Sequence, residues 1–296
     1  MQGQSRIAVI GPGALGGVIA AWLAQRSDLE VTVCARSPLT DLAVETPGGT
    51  ITATPVVLLD PGDAAPADWV LVCTKAYDVA STRPWLERLM GEETRLAVLQ
   101  NGVEHVERFA PYVPVARIIQ CIVDIPAART APGRMEQHRN GTIFVPAGPD
   151  GDAFVSLFAQ TPIAVATTDD IRSRAWAKLC LNSAGAVSTL TQQATGPVWT
   201  AELEALIRAV VEECAAVARA EGAVIDQATI ERVVEGQRNG KPGATNSMQD
   251  DRRFGRPMEV DARNGVIVRF GQRHSIPTPV NSMLVTLLEA SAVSRS

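Results

Sequence analysis

The run RIAVI, residues 6–10, passes directly into GPGALGG, residues 11–17, and then into VIAAWLAQR. A short β-branched apolar run of this kind suits a strand buried on both faces of a parallel sheet. The stretch after the glycines has helix-forming composition. Gly11, Gly13 and Gly16 therefore fit G-x-G-x-x-G at a strand-to-helix junction. The first glycine permits the tight turn, the second lets a pyrophosphate approach the backbone, and the third lets the helix pack closely on the strand. The phosphates rest on N–H groups at the positive end of the helix. The chain is thus expected to open on a Rossmann-type unit that binds a dinucleotide.

The next strand is EVTVCAR, residues 30–36. Sites specific for NAD place a carboxylate about 20 positions beyond the glycines, on the ribose 2′-hydroxyl. Here that point reads Cys34, Ala35, Arg36 and Ser37. Arg36 can pair with a 2′-phosphate through charge-assisted bonds, which points to NADP(H). Two further strands, WVLVCTK (69–75) and RLAVLQN (95–101), each end in a polar residue. Open α/β sheets bind ligands at the carboxyl ends of their strands. Lys75 and Asn101 are therefore candidates to line the nucleotide and substrate, or else simple loop and cap residues. Residues 117–147 and 162–167 read as strands that extend the sheet, with a hairpin tip at Arg139–Thr142, and the first domain closes near residue 168.

Composition narrows the rest. With 296 residues, 46% hydrophobic, the chain has room for two domains and ample core. A net charge of −5 argues against a general nucleic-acid partner. The cysteines at 34, 73, 121, 180 and 214 match neither a zinc site nor a disulfide framework, and the three histidines stand far apart, so no metal is expected. The first apolar run is too short for a signal peptide, and nothing approaches a span of ~20 apolar residues, so a cytoplasmic protein without a membrane partner is expected.

The second half, residues 169–296, reads as all-helical. Asp169 and Asp170 are plausible N-caps for an opening helix, a long helix covers about 198–221, and Gly222 ends it. A polar, glycine-rich loop over 236–246 leads to a helix near Ser247, and the last pair covers about 257–272 and 279–291. The opening helix contains AWAKLCLNSAGAVSTLT, which is apolar or small except at Lys178 and Asn182. Residues at i and i+4 share a helix face. That line is either a solvated stripe or one wall of a site.

Five pieces, GPGALGG, TKAYD, LQNGVEH, AWAKLCLNS and SMQDDRRFGRPMEVDARNG, occur in an order and at separations that resemble the ketopantoate reductase family over nearly the whole chain. The resemblance implies a Rossmann-type domain (1–168) followed by a helical substrate domain (169–296), and NADPH-dependent reduction of a 2-oxo acid in a cleft between them. It implies Lys178 as proton donor and Glu259 as its acidic partner near substrate and nicotinamide. Asn101, Asn182 and Ser247 would bind substrate, with Asn101 also near the cofactor, and Lys75 would hold the nucleotide. A homodimer is implied by resemblance alone. The chemistry suits these types: hydride arriving at a ketone leaves a developing alkoxide, which needs an aimed cation or proton donor. Desolvation on an apolar helix would lower the lysine pKa and ease that transfer. Plainer roles remain for each: a snorkelling Lys178, a Glu259 that serves the helix dipole, and a Ser247 that caps its helix. The chain departs from the family pattern at Ala186 and Gly196, where further asparagines are common. That leaves open a reductase of another branched or bulky 2-oxo acid, and a non-catalytic NADP-binding regulator also remains.

Overall fold

A computed structural model describes residues 4–193, 199–241 and 243–293. The chain divides into two compact units, Met1–Ile171 and Arg172–Ser296.

In the first unit a six-stranded parallel sheet has the order β5-β2-β1-β6-β7-β8. Its strands are β1 (Ser5–Ile10), β2 (Leu29–Cys34), β5 (Val56–Leu58), β6 (Ala67–Val72), β7 (Met90–Val98) and β8 (Ile118–Gln120). Alternate side chains of β1 enter different cores. Ile7 and Val9 pack with Val18, Ile19 and Leu23 of helix α1 (Ala14–Leu23). Ala8 and Ile10 pack with Trp85, Leu86 and Leu89 of α2 (Val79–Leu89) and with Phe109 of α3 (His105–Phe109). Cover on both faces is why RIAVI has no polar alternation.

The strands elsewhere in this unit do not extend that sheet, contrary to the reading of residues 117–147 and 162–167; only β8 does. A four-stranded sheet has the order β10-β11-β3-β4, from β3 (Leu42–Thr46), β4 (Gly49–Ala53), β10 (Ala127–Ala131) and β11 (Arg134–Gln137). A three-stranded sheet joins β13 (Ala164–Thr168), β12 (Thr142–Pro146) and β9 (Ile122–Asp124). Arg139–Thr142 is consequently no hairpin tip. It carries the chain from β11 in one sheet to β12 in another, and Gly141 makes the passage at φ +79° with Asp124 against its Cα. Helix α4 (Pro149–Leu157) lies against β12 and β13, and its Phe154 stacks on Trp69 and Phe158.

The second unit is helical. It contains α5 (Ile171–Thr191), α6 (Ala201–Ala220), α7 (Gln227–Arg238), α8 (Ser247–Arg253), a π-helical turn (Asp261–Gly265), α9 (Val266–Arg273) and α10 (Pro279–Val293). Helix α7 occupies a stretch the sequence reading passed over; Asp226 caps it by accepting from the Thr229 N–H at 2.8 Å. A bidentate Arg208–Glu231 pair at 2.6 and 2.8 Å ties α7 to α6 and holds the Glu231 carboxyl down at about 2. The long helix starts at Ala201, and its expected start near Val198 lies outside the described residues.

Buried carboxamides and a carboxylate hold the remaining helices in register. Glu213 of α6 accepts from the Val280 and Asn281 N–H groups at 2.9 Å each and from Asn281 Nδ2 at 2.7 Å. It thereby satisfies the exposed donors at the start of α10 from a neighbouring helix. Asn281 Oδ1 in turn accepts from Asn264 Nδ2 at 2.9 Å, and that same nitrogen donates to the Ser183 carbonyl of α5 at 3.2 Å. Among the described residues, no helix is long and apolar enough to cross a membrane.

Candidate active site

Six predicted site residues lie in the first unit, at the carboxyl edge of its parallel sheet. Strand order reverses direction between β1 and β6, the place where such sheets bind ligands. Gly11 leaves β1 at φ +88°, and a Cβ there would meet Thr74 Cγ2 at 2.7 Å. A Cβ on Gly16 would stand 2.3 Å from the Gly11 carbonyl oxygen and 2.8 Å from Cys73 Cβ. These two glycines are demanded by close packing. Gly13 differs: nothing lies within 4 Å of its Cβ direction. It caps α1 without a side-chain hydrogen bond, and the first turn carries no acidic residue. An open space above backbone donors, free of negative charge, fits a bound pyrophosphate.

The neighbouring strand ends are tied to this loop. Gln100 Nε2 donates to Thr74 Oγ1 at 2.9 Å and to the Lys75 carbonyl at 3.2 Å. The segments carrying Lys75 and Asn101 are therefore joined, and Gly102 makes the turn after Asn101 at φ +113°. Lys75 and Asn101 are both half-buried. Arg36 follows β2 with its side chain 83% exposed, 3.5 Å from Asp78. Asp78 is half-buried, but a pair whose arginine is this exposed is weak and leaves the guanidinium open to a better anion. Burial pushes the Cys34 thiol, two residues earlier, up to about 12, which makes it an inert neighbour.

The other four predicted residues lie in the second unit. Lys178 and Asn182 sit on α5 and are both half-buried, while Leu179, Cys180 and Ser183 between and beside them are buried. The line they form is thus the partly open edge of a core helix. Ala186, one turn on, is completely buried, and Gly196 lies outside the described residues.

Ser247 is the first residue of α8 rather than its cap. The cap is Asn246, whose Oδ1 accepts from the Met248 and Gln249 N–H groups at 3.0 Å each. The Asn246 amide also donates to the Gly185 carbonyl at 3.1 Å and to Ser188 Oγ at 3.0 Å. A side chain at 185 would meet that amide at 3.1 Å, so glycine there lets α8 start directly against α5. This contact fixes Ser247, which is exposed, beside the helix that carries Lys178 and Asn182.

Glu259 is 4% exposed and precedes the helical residues instead of lying in their first turn. The π turn that follows buries Arg263 and Asn264. Asn264 links it to Ser183 of α5, and Arg263 Nη2 links it to Ser247 Oγ at 2.7 Å. The segments bearing Asn182, Ser247 and Glu259 are therefore laced together by Asn246, Arg263 and Asn264. Sequence reading singled out none of these three. An asparagine immediately before a helix start is the one signal that could have identified Asn246.

Two family models match the chain: one described as ketopantoate reductase PanE/ApbA, over residues 7–150, and one described as its C-terminal part, over residues 170–292. A 2-dehydropantoate 2-reductase from Caulobacter vibrioides is 53% identical over 98% of this chain and 100% of its own length. One from Mycobacterium tuberculosis is 35% identical, over 97% of each chain. The crystal structure of a PanE/ApbA family ketopantoate reductase from Ralstonia eutropha superposes with a TM-score of 0.89 at 30% identity, covering 97% of this chain and 98% of that one.

Proposed function

The chain belongs to the ketopantoate reductase family, and on that premise we propose that it reduces 2-dehydropantoate to pantoate with NADPH. The observation that carries the reading is the pairing, in one chain, of an open anion cradle at Gly13 with the half-buried Lys178–Asn182 line of α5. A purely nucleotide-binding regulator needs the first and has no use for the second.

The first unit holds the dinucleotide: Gly11, Gly13 and Gly16 shape the pyrophosphate cradle, with Lys75 and Asn101 beside it. When bound, the reduced nicotinamide supplies the hydride that attacks the 2-oxo carbon. The second unit handles the substrate. Lys178 Nζ gives its proton to the oxygen on which charge develops, which removes an alkoxide that would otherwise be left unstabilised. Asn182 and Ser247 hold the substrate through neutral donors, and Asn101 offers a further carboxamide to it. Glu259, which is buried, orients the lysine. A homodimer, read by sedimentation velocity, belongs to the same proposal.

The decisive measurement is NADPH oxidation against a panel of 2-oxo acids ranked by kcat/KM. Ketopantoate is expected to rank first; a low rank overturns the assignment. For the cofactor, Arg36→Ala is expected to raise the KM for NADPH about tenfold by losing a charge-assisted contact, with little change for NADH. Equal effects on both cofactors would remove Arg36 from the 2′-phosphate.

A further inference from the structure

The π turn buries an arginine that the reaction described above does not use. Arg263 is 3% exposed, and it is held on a wide turn of the kind that recurs at functional sites. A guanidinium offers five N–H donors in a planar fork and in most buried settings grips a carboxylate with two of them. Arg263 does not. Its Nη2 donates to Ser247 Oγ at 2.7 Å, and its Nε has no hydrogen-bond partner among the described residues. Glu259 and Asp251 act on it through their charge, while Asp251 itself is engaged by Arg256 at 3.0 Å. Burial pushes the guanidinium pKa down and those two carboxylates oppose the shift. A cation placed this way is poorly used as a structural brace, because desolvating a charge without a full set of partners is costly.

Its outlet is Ser247. The arginine is buried, but the serine it bonds is exposed on the first turn of α8. An N–H donated into the Ser247 oxygen occupies one lone pair, so the hydroxyl proton must point elsewhere. The serine is thereby fixed as a donor, strengthened by the positive charge behind it. A ligand that meets Ser247 at this spot encounters one hydroxyl donor with a cation in its second layer. In a 2-oxo acid, the group that gains from that arrangement is the carboxylate.

We propose that Arg263 is a positioning and specificity residue that makes Ser247 a charge-assisted donor to the carboxylate of the substrate. The inference rests on the reading that Ser247 touches substrate. It does not depend on which 2-oxo acid is preferred.

The test is a double-mutant cycle on the full chain with Arg263→Met, Ser247→Ala and the pair, using the best 2-oxo acid and its uncharged methyl ester. Arg263→Met is expected to raise KM for the acid ~10- to 100-fold, the loss of one hydrogen bond to a charged group, with kcat nearly unchanged. KM for the ester should stay where it is. The double variant should be no worse than Ser247→Ala. Arg263→Lys, which keeps the charge and most of the volume, should recover part of the loss and covers the case in which the methionine variant does not fold. Equal rises for acid and ester, or additive effects in the cycle, would overturn the proposal by reducing Arg263 to a structural role. A Ser247→Ala enzyme with unchanged KM would overturn it together with the substrate role of Ser247. A wild-type chain that turns over no 2-oxo acid would instead sink the proposed function, before any variant is compared.

Discussion

Lys178→Ala is expected to lower kcat ~10²- to 10⁴-fold, the usual range for losing a positioned general acid, while NADPH binding stays intact. The selectivity follows from location. Lys178 belongs to the second unit and is half-buried on α5, whereas the glycine cradle lies in the first unit. Truncating it to alanine, the best helix former, leaves the helix itself undisturbed. The core residues flanking it, Leu179 and Cys180, keep their packing. Lys178→Arg separates charge from proton transfer. An arginine retains the positive charge but does not give up its proton in any accessible pH range, so it should rescue substrate binding and not kcat. Turnover of Lys178→Ala at the wild-type rate, with NADPH binding checked by nicotinamide fluorescence, would remove the lysine from the chemistry.

The glycine loop and the α5 line were legible because each depends on local pattern. RIAVI-GPGALGG declares a strand, a turn and a helix within a few residues, and a lysine four positions before an asparagine shares its face in any helix. What could not be read depends on partners far away in sequence. Arg139–Thr142 has the composition of a hairpin tip, but which strand pairs with β12 is decided by β9 and β13, not by the turn. Helix α7 escaped because Gly236 and a glycine-rich successor masked a short periodic run, although Asp226 marks its start. Arg263 and Asn264 look like ordinary polar residues in RNG. Their burial follows from the π turn, which is itself held by Asn281 and Ser183 from other helices. Polar residues whose partners are scattered along the chain carry no local signature, and here they are the ones that join the pieces of the site.

Two alanine substitutions in the glycine loop should separate packing from ligand space. Gly16→Ala is expected to destabilise the first unit by ~1–3 kcal/mol, the usual cost of forcing a methylene into a close-packed contact, and to abolish tight NADPH binding with it. The clash is with backbone: 2.3 Å from the Gly11 carbonyl oxygen, with Cys73 Cβ at 2.8 Å behind it. Relief requires α1 to withdraw from the end of β1, and that withdrawal displaces the N–H groups on which the phosphates rest. Gly13→Ala should behave in the opposite way. Its backbone lies at φ −75° and ψ −156°, which alanine adopts without strain, and its Cβ would enter empty space. The melting temperature should therefore hold while the KM for NADPH rises, because the methyl group occupies the place of the pyrophosphate. Melting curves with and without NADPH distinguish the two. Gly16→Ala should melt early in both, whereas Gly13→Ala should match wild type without cofactor and fail to gain stability when it is added. A Gly13→Ala protein stabilised by NADPH as strongly as wild type would mean that the open space above α1 is not where the cofactor's phosphates bind.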